Sequence, residues 1–196
     1  MEEALIQWQE QELSKMESGN NVFDAVMEQS GRIDILFNNA GAIRREDCTV
    51  FSEKDWDDVM NLNIKTLFFL TQRVGAQMIE KKIPGKIVNT ASLLAFQGGI
   101  RTPSYTASKS AVKGLTMTLA NEWAKYGINV NAIAPGSIMT DMYAAVPEEV
   151  KQAKLAKIPL RRYGDPRETA QLYAFLASDE ASYVTAQTIT IDGGFN

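Results

Sequence analysis

Tyr105 and Lys109 stand four residues apart, and Ser92 lies thirteen residues before the tyrosine. These three side-chain types can together move a proton. If the segment that carries the first two is helical, they share one face about one turn apart. A free tyrosine titrates near ~10, too high for a base at neutral pH. An ammonium about 6 Å away, at an effective dielectric of about 20, favours the phenolate by roughly 3 kcal/mol, or about two pH units. The expectation is a phenol made acidic by Lys109, with Ser92 holding a reacting oxygen while Tyr105 transfers the proton. The plainer alternative is a packed aromatic beside a snorkelling lysine, with Ser92 as a strand-end cap.

Composition narrows the chemistry. The 196 residues include no histidine and one cysteine, Cys48. Ser-His-Asp and Cys-His catalysis are excluded, as are imidazole or four-cysteine metal sites, so no metal is expected. A hydrolase built on Ser92 would need Lys109 as its base. Net charge is −4 and the pI is about 5.0, so nothing marks a nucleic-acid or anionic-membrane surface, and a small molecule is the expected partner. The acidic start Met1-Glu2-Glu3 lacks signal-peptide features, and the apolar run Thr66–Leu70 is far short of the ~18 residues that span a bilayer. A cytoplasmic protein is expected, with Cys48 an ordinary loop thiol.

Helices must alternate with short strands to position the triad. Met1–Met16, rich in Glu, Gln and Leu, is predicted helical, with Ser18-Gly19-Asn20-Asn21 as a break. Val22, Phe23, Val26 and Met27 recur at helical spacing until Ser30-Gly31. Ile33–Phe37 is the first predicted strand. Ser52 caps a helix running toward Glu80, Lys86–Thr90 is the second strand, and Ser104–Tyr126 is a long helix ended by Gly127. Ile128–Ile133 is the third strand, a polar excursion reaches about Pro159, a helix follows Asp165-Pro166, and Thr188–Ile191 is the last strand.

Such alternation implies an α/β, three-layer, Rossmann-like parallel sheet with helices on both faces. Ligands then sit beyond the carboxyl ends of the strands, at Asn38–Gly41, Ala91-Ser92, Pro135-Gly136 and Asp192-Gly193-Gly194. Arg44, Arg45 and Arg101 fall in loops on that side. Each suits a substrate carboxylate, though each reads equally as a solvated loop charge.

Asn38-Asn39-Ala40-Gly41 after a strand, Asn63 in the next helix, Ser92, Tyr105-Thr106-Ala107-Ser108-Lys109 and Pro135-Gly136 resemble, in order and spacing, the short-chain dehydrogenase/reductase family. Within it, Ile43–Asp47, Phe51–Trp56 and Phe96–Arg101 resemble the sugar-acid branch. The resemblance implies an NAD(P)-dependent oxidoreductase, with NAD favoured. Tyr105 would be the acid/base, Lys109 would lower its pKa and hold the nicotinamide ribose, Ser92 would orient the substrate, and Asn63 would support a water-linked relay. Asn39, Ala40 and Gly41 would lie along the ribose, and Pro135, Gly136, Ile138 and Thr140 near the nicotinamide. The excursion from Met139 to Pro159 resembles a substrate lid.

Two departures stand out. No glycine-rich turn of the family's kind precedes Ile33, so the pyrophosphate cradle is not visible. Ala186 occupies a position where the family usually has Gly. The expected organisation is an N-terminal helical segment of unknown role over residues 1–21 and one incomplete domain over 22–196. The strand at Ile33 then becomes an apolar edge: the N-terminal helix covers it, another chain covers it, or the chain is a truncated gene product. A homodimer or homotetramer is implied by the resemblance. A different class of reading is a catalytically silent family member that assembles with longer relatives through Asp55–Glu80 and Ser104–Tyr126.

Overall fold

The computed structural model describes residues 16–140, 143 and 146–196, with side chains from residue 19 onward. Four parallel strands lie side by side in chain order: β1 (Ile35–Asn38), β2 (Lys86–Thr90), β3 (Asn129–Pro135) and β4 (Thr188–Ile191). Ile35 lies opposite Lys86, Thr90 opposite Ile133, and Pro135 opposite Ile191, so all four carboxyl ends face one side. Parallel neighbours need helix-length crossovers, and these cover both faces of the sheet. Consecutive Ile87 and Val88, both fully buried, show the consequence. Ile87 packs with Val74, Met78 and Leu119 from α3 (Leu67–Glu80) and α5 (Pro103–Trp123). Val88 packs on the other face with Ile133 and Leu176, the latter from α7 (Pro166–Ala177). The three-layer expectation is met.

Local sequence explains the helix starts. Ser52 caps α2 (Glu53–Met60): its Oγ accepts the Asp55 N–H at 3.1 Å, with Glu53 and Asp55 in the first turn. At α7, Asp165 accepts the Arg167 N–H at 2.7 Å while Glu168 accepts the Asp165 N–H at 2.8 Å, a capping box with Pro166 in the first turn.

Several boundaries differ from expectation. The break at residues 18–21 is absent: α1 (Met16–Ser30) runs straight through it. Tertiary packing overrides propensity there, for Gly19 is buried against Thr66, and Asn20 offers its carbonyl and Oδ1 to Arg73 at 3.2 Å each. The helix predicted over residues 1–16 lies, but for its last residue, outside the described residues. The first strand begins at Ile35 rather than Ile33, because the Ile33 N–H is taken by Gln77 Oε1 at 2.8 Å. The third strand runs on to Pro135, whose carbonyl accepts the Leu93 N–H at 3.1 Å. Two short helices were not foreseen, α4 (Leu94–Gln97) and α6 (Glu148–Leu155), the second within the polar excursion. Part of the lid-like stretch, residues 141, 142, 144 and 145, lies outside the described residues.

One departure matters for the site. The helix expected to run unbroken toward Glu80 contains a π-helical turn, Asn61–Thr66, between α2 and α3. Such wide turns redirect side chains and recur at functional sites. Here the turn carries Asn63. The β1 edge is exposed, with Ile35 and Phe37 each 46% accessible, and the described part of α1 packs on α3.

Candidate active site

Strand β2 ends where the chemistry begins. Ala91 donates its N–H to Ile133 at 2.8 Å, which holds Ser92 at the carboxyl edge. Helix α5 then presents Tyr105 and Lys109 on one face, with Lys109 Nζ 5.7 Å from the centre of the Tyr105 ring. The i, i+4 spacing therefore joins the pair as expected. Ser92 stands near enough to the Tyr105 phenol to favour its ionised form, while its Oγ accepts the Leu94 N–H at 3.2 Å. Lys109 is 3% exposed and donates to the Thr90 carbonyl at 2.6 Å.

The electrostatics correct one expectation. Tyr105 is not made acidic by Lys109. Burial raises its pKa above the ordinary value, and this is the largest influence; Ser92 and the charge of Arg45 oppose it. The ammonium of Lys109, turned onto a backbone carbonyl, is itself depressed from 10.5 to about 8 by burial. The free site thus holds a neutral phenol beside a lysine that titrates near working pH.

Loop and cavity complete the arrangement. Asn63, wholly buried, accepts the Ala42 N–H at 2.8 Å and donates to the Ala42 carbonyl at 2.9 Å and to Ser108 Oγ at 3.0 Å. Its side chain is a clamp on the loop after β1, and both of its amide hydrogens are committed there. The clamp draws Gly41 so close that a Cβ there would lie 3.3 Å from Asn63 Oδ1 and 3.4 Å from Lys109 Nζ. Glycine keeps that approach open. Asn38 is structural: its Nδ2 donates to Thr71 Oγ1 and Asn89 Oδ1, each at 2.8 Å.

A cavity of about 420 Å³ is lined by Asn39, Gly41, Thr90, Tyr105 and Lys109. A second, of about 570 Å³, shares Asn39 and is lined by Pro135, Ile138 and Thr140. Ala40 lines neither of these but a smaller neighbour that also touches Asn39. Gly136 lines none of the three; a Cβ there would come within 2.7 Å of Asp192 Cβ, so its service is close packing of two strand ends.

Two contributors escaped the sequence reading. Thr90 supplies the carbonyl for Lys109, and its Oγ1 donates to the Asn38 carbonyl at 2.8 Å. Tyr173, from α7, bonds the Thr90 hydroxyl and lies edge-on to Phe37 with ring centres 5.1 Å apart. Thr90 stood one residue before Ala91-Ser92 in the predicted strand, a position that was open to inspection. Tyr173 offered no local signal, since its role depends on a contact 83 residues away.

The three loop arginines are not equivalent. Arg44 lies 3.5 Å from Asp55 and 3.7 Å from Asp58, and Arg101 lies 2.8 Å from Glu46 and 3.2 Å from Asp47. Both are solvated loop charges with acidic partners. Arg45 has no such partner among the described residues.

A family profile described as enoyl-(acyl carrier protein) reductase matches residues 4–196. The chain belongs to the short-chain dehydrogenase/reductase family. Among short-chain dehydrogenases, a 2-dehydro-3-deoxy-D-gluconate 5-dehydrogenase of Dickeya dadantii is 56% identical over 167 residues, covering 84% of this chain and 66% of the relative. A 3-oxoacyl-(acyl-carrier-protein) reductase of Thermotoga maritima is 47% identical over 173 residues, covering 88% and 70%. A solved structure assigned as a 2-deoxy-D-gluconate 3-dehydrogenase of Agrobacterium tumefaciens, with bound NADP, superposes with a TM-score of 0.89 at 47% identity, covering 95% of this chain and 75% of that one. The chain thus spans between about two thirds and three quarters of the length of these relatives. All three are dehydrogenases or reductases by name, and the chain is homologous to the two named for deoxygluconates as well as to the acyl-carrier-protein reductase. Among the described residues, no helix is long and apolar enough to cross a membrane.

Proposed function

We propose that this protein is a nicotinamide-dependent oxidoreductase acting on a secondary alcohol or ketone of a sugar acid such as a deoxygluconate. The observation that carries the reading is the meeting of Tyr105, Lys109 and the Thr90 strand end on one 420 Å³ cavity, with Ser92 against the phenol. The relatives' names support the substrate class, and the NADP held by the Agrobacterium protein supports a nicotinamide cofactor. NADP therefore stands beside NAD as the candidate.

The residues present suit the nicotinamide-ribose half of such a cofactor. Gly41 keeps open a cradle that a Cβ would fill, between Asn63 and a lysine able to donate to ribose hydroxyls. Asn39 borders both cavities, and Pro135, Ile138 and Thr140 offer the apolar wall for a flat ring. When bound, the cofactor supplies or accepts the hydride. Ser92 holds the substrate oxygen. Tyr105, kept neutral by burial, donates its proton to a carbonyl oxygen, so the free protein is poised for reduction. The phenolate left behind is favoured by Ser92 and by the charge of Arg45. Lys109, titrating near pH 8, is suited to returning the proton. The outer faces of α3 and α5, with a cavity of about 390 Å³ between Phe68 and Trp123, support a homodimer or homotetramer. A cytoplasmic location completes the proposal.

Titration of the purified chain with NADH and with NADPH tests it. Saturable binding at micromolar to millimolar cofactor is expected. No binding in that range would remove the enzyme reading. A second reading, a silent assembly partner of longer relatives, is favoured by the exposed apolar β1 edge, where Ile35 and Phe37 lie open.

A further inference from the structure

Among the described residues Lys86 and Lys109 are the buried lysines, and they are buried to different ends. Lys86 opens β2, at the amino side of the sheet, and donates to Asn129 Oδ1 at 2.7 Å. Lys109 lies at the opposite, carboxyl side, where it lines the 420 Å³ cavity with Tyr105 and Thr90. A buried lysine is ordinarily matched by a carboxylate. None stands against Lys109 among the described residues, and its hydrogen bond runs to the Thr90 carbonyl at 2.6 Å. Burial without a counter-charge brings this lysine down to about 8, so a large share of it is free amine at pH 8.

The surroundings suit a nucleophile. A neutral amine can give one N–H to Thr90 and still present a second N–H and a lone pair. Toward Gly41 that lone pair meets no side chain: a Cβ there would lie 3.4 Å from Nζ, and glycine leaves the space open to the cavity. Tyr105 borders the same cavity, its ring centre 5.7 Å from Nζ, and burial keeps its phenol neutral. A free amine and a neutral acid facing one small cavity are the pair needed to condense lysine with a carbonyl compound. The ribose contact assigned above uses only the N–H groups of Lys109, and leaves the lone pair without a role.

We propose that Lys109 is a covalent capture site for small aldehydes and keto acids, joining the carbonyl carbon as an iminium with Tyr105 as the acid. The nitrogen bonds the carbonyl carbon and passes one proton to the oxygen, giving a carbinolamine. The C–O bond then breaks, and the phenol proton leaves with the hydroxyl as water. An iminium with one N–H and a phenolate remain, so atoms and charge balance and nothing is oxidised or reduced. The last N–H keeps the bond to Thr90. The step needs no nicotinamide and is independent of the oxidoreductase reading.

The test incubates the full chain with pyruvate and, separately, with propanal in the presence of cyanoborohydride, which reduces iminium ions to stable amines. Peptide mass mapping then gives the labelling rate of each lysine, with the exposed Lys81 and Lys157 as internal references. At pH 8 Lys109 should be labelled about 10- to 100-fold faster than either, from the larger share of free amine. Its rate should level off above that pH while the references continue to rise. In urea, where the cavity is lost, the preference should vanish. Tyr105→Phe should slow labelling of Lys109 about tenfold or more and leave the references unchanged. Labelling of Lys109 no faster than the references in the folded chain, or a preference that persists in urea, would overturn the proposal whatever the cofactor titration shows. An unchanged Lys109 rate in Tyr105→Phe would overturn the phenol's part in it.

Discussion

Replacing Lys109 by Met tests how far burial controls this site. The lysine is 3% exposed, bonds only the Thr90 carbonyl at 2.6 Å, and has no carboxylate partner among the described residues. Its pKa falls from 10.5 to about 8 on folding. At about 1.4 kcal/mol per pH unit, that is a folding penalty of about 3 kcal/mol. The sign follows from proton counts. Below pH 8 both states carry the proton and the penalty is fully present. Between 8 and 10.5 the unfolded chain binds more protons, so stability rises with pH; above 10.5 both states are neutral and the penalty is gone. Methionine fills similar space without charge, but leaves the Thr90 carbonyl unpaired at a cost of about 1–3 kcal/mol. The net offset at neutral pH is therefore small, and the diagnostic is the slope. Urea unfolding of both proteins from pH 7 to pH 10.5 should show the unmodified chain gaining about 3 kcal/mol on Lys109→Met across that window. A constant difference would mean that Lys109 titrates like a surface lysine, and the electrostatic account of the site would fail.

Asn63→Ala removes three hydrogen bonds and strands both backbone groups of Ala42, so urea unfolding should show a loss of about 2–4 kcal/mol. Ala186 holds φ +62°, a left-handed conformation that costs a residue with a Cβ about 1–2 kcal/mol. Ala186→Gly should raise stability by about 0.5–1 kcal/mol after glycine's larger unfolded-state entropy is subtracted; a lower melting temperature would contradict this. Asp165→Ala breaks the α7 capping box and should cost about 1 kcal/mol in the same unfolding assay.

The legible parts of the sequence were those where local chemistry and global packing agree. Lys86–Thr90 and Thr188–Ile191 are bounded by Pro-Gly and Gly-Gly signals, and both strands have the expected limits. Asp165-Pro166 announced α7 through its own capping atoms. Ser18–Asn21 misled because a glycine that permits close approach to Thr66 looks, in sequence, like one that ends a helix. At the site, the i, i+4 spacing of Tyr105 and Lys109 was enough to place them together. It could not foretell that Thr90 would capture the ammonium, nor that burial would outweigh every charge on the phenol. Desolvation depends on what covers a residue, and no spacing rule encodes that. The arginines show the same limit: Arg44, Arg45 and Arg101 were interchangeable until Asp47, Asp55, Asp58 and Glu46 were placed beside two of them.

The most direct measurement is the consumption of reduced nicotinamide by the full chain and by Tyr105→Phe, with a keto sugar acid as substrate. Phenylalanine preserves the ring and removes only the transferable proton. Turnover by the unmodified chain, falling about 10²- to 10⁴-fold in the variant while cofactor titration still saturates, is the predicted result. Equal turnover by both, or none by the unmodified chain under saturating cofactor, would contradict proton transfer through this phenol.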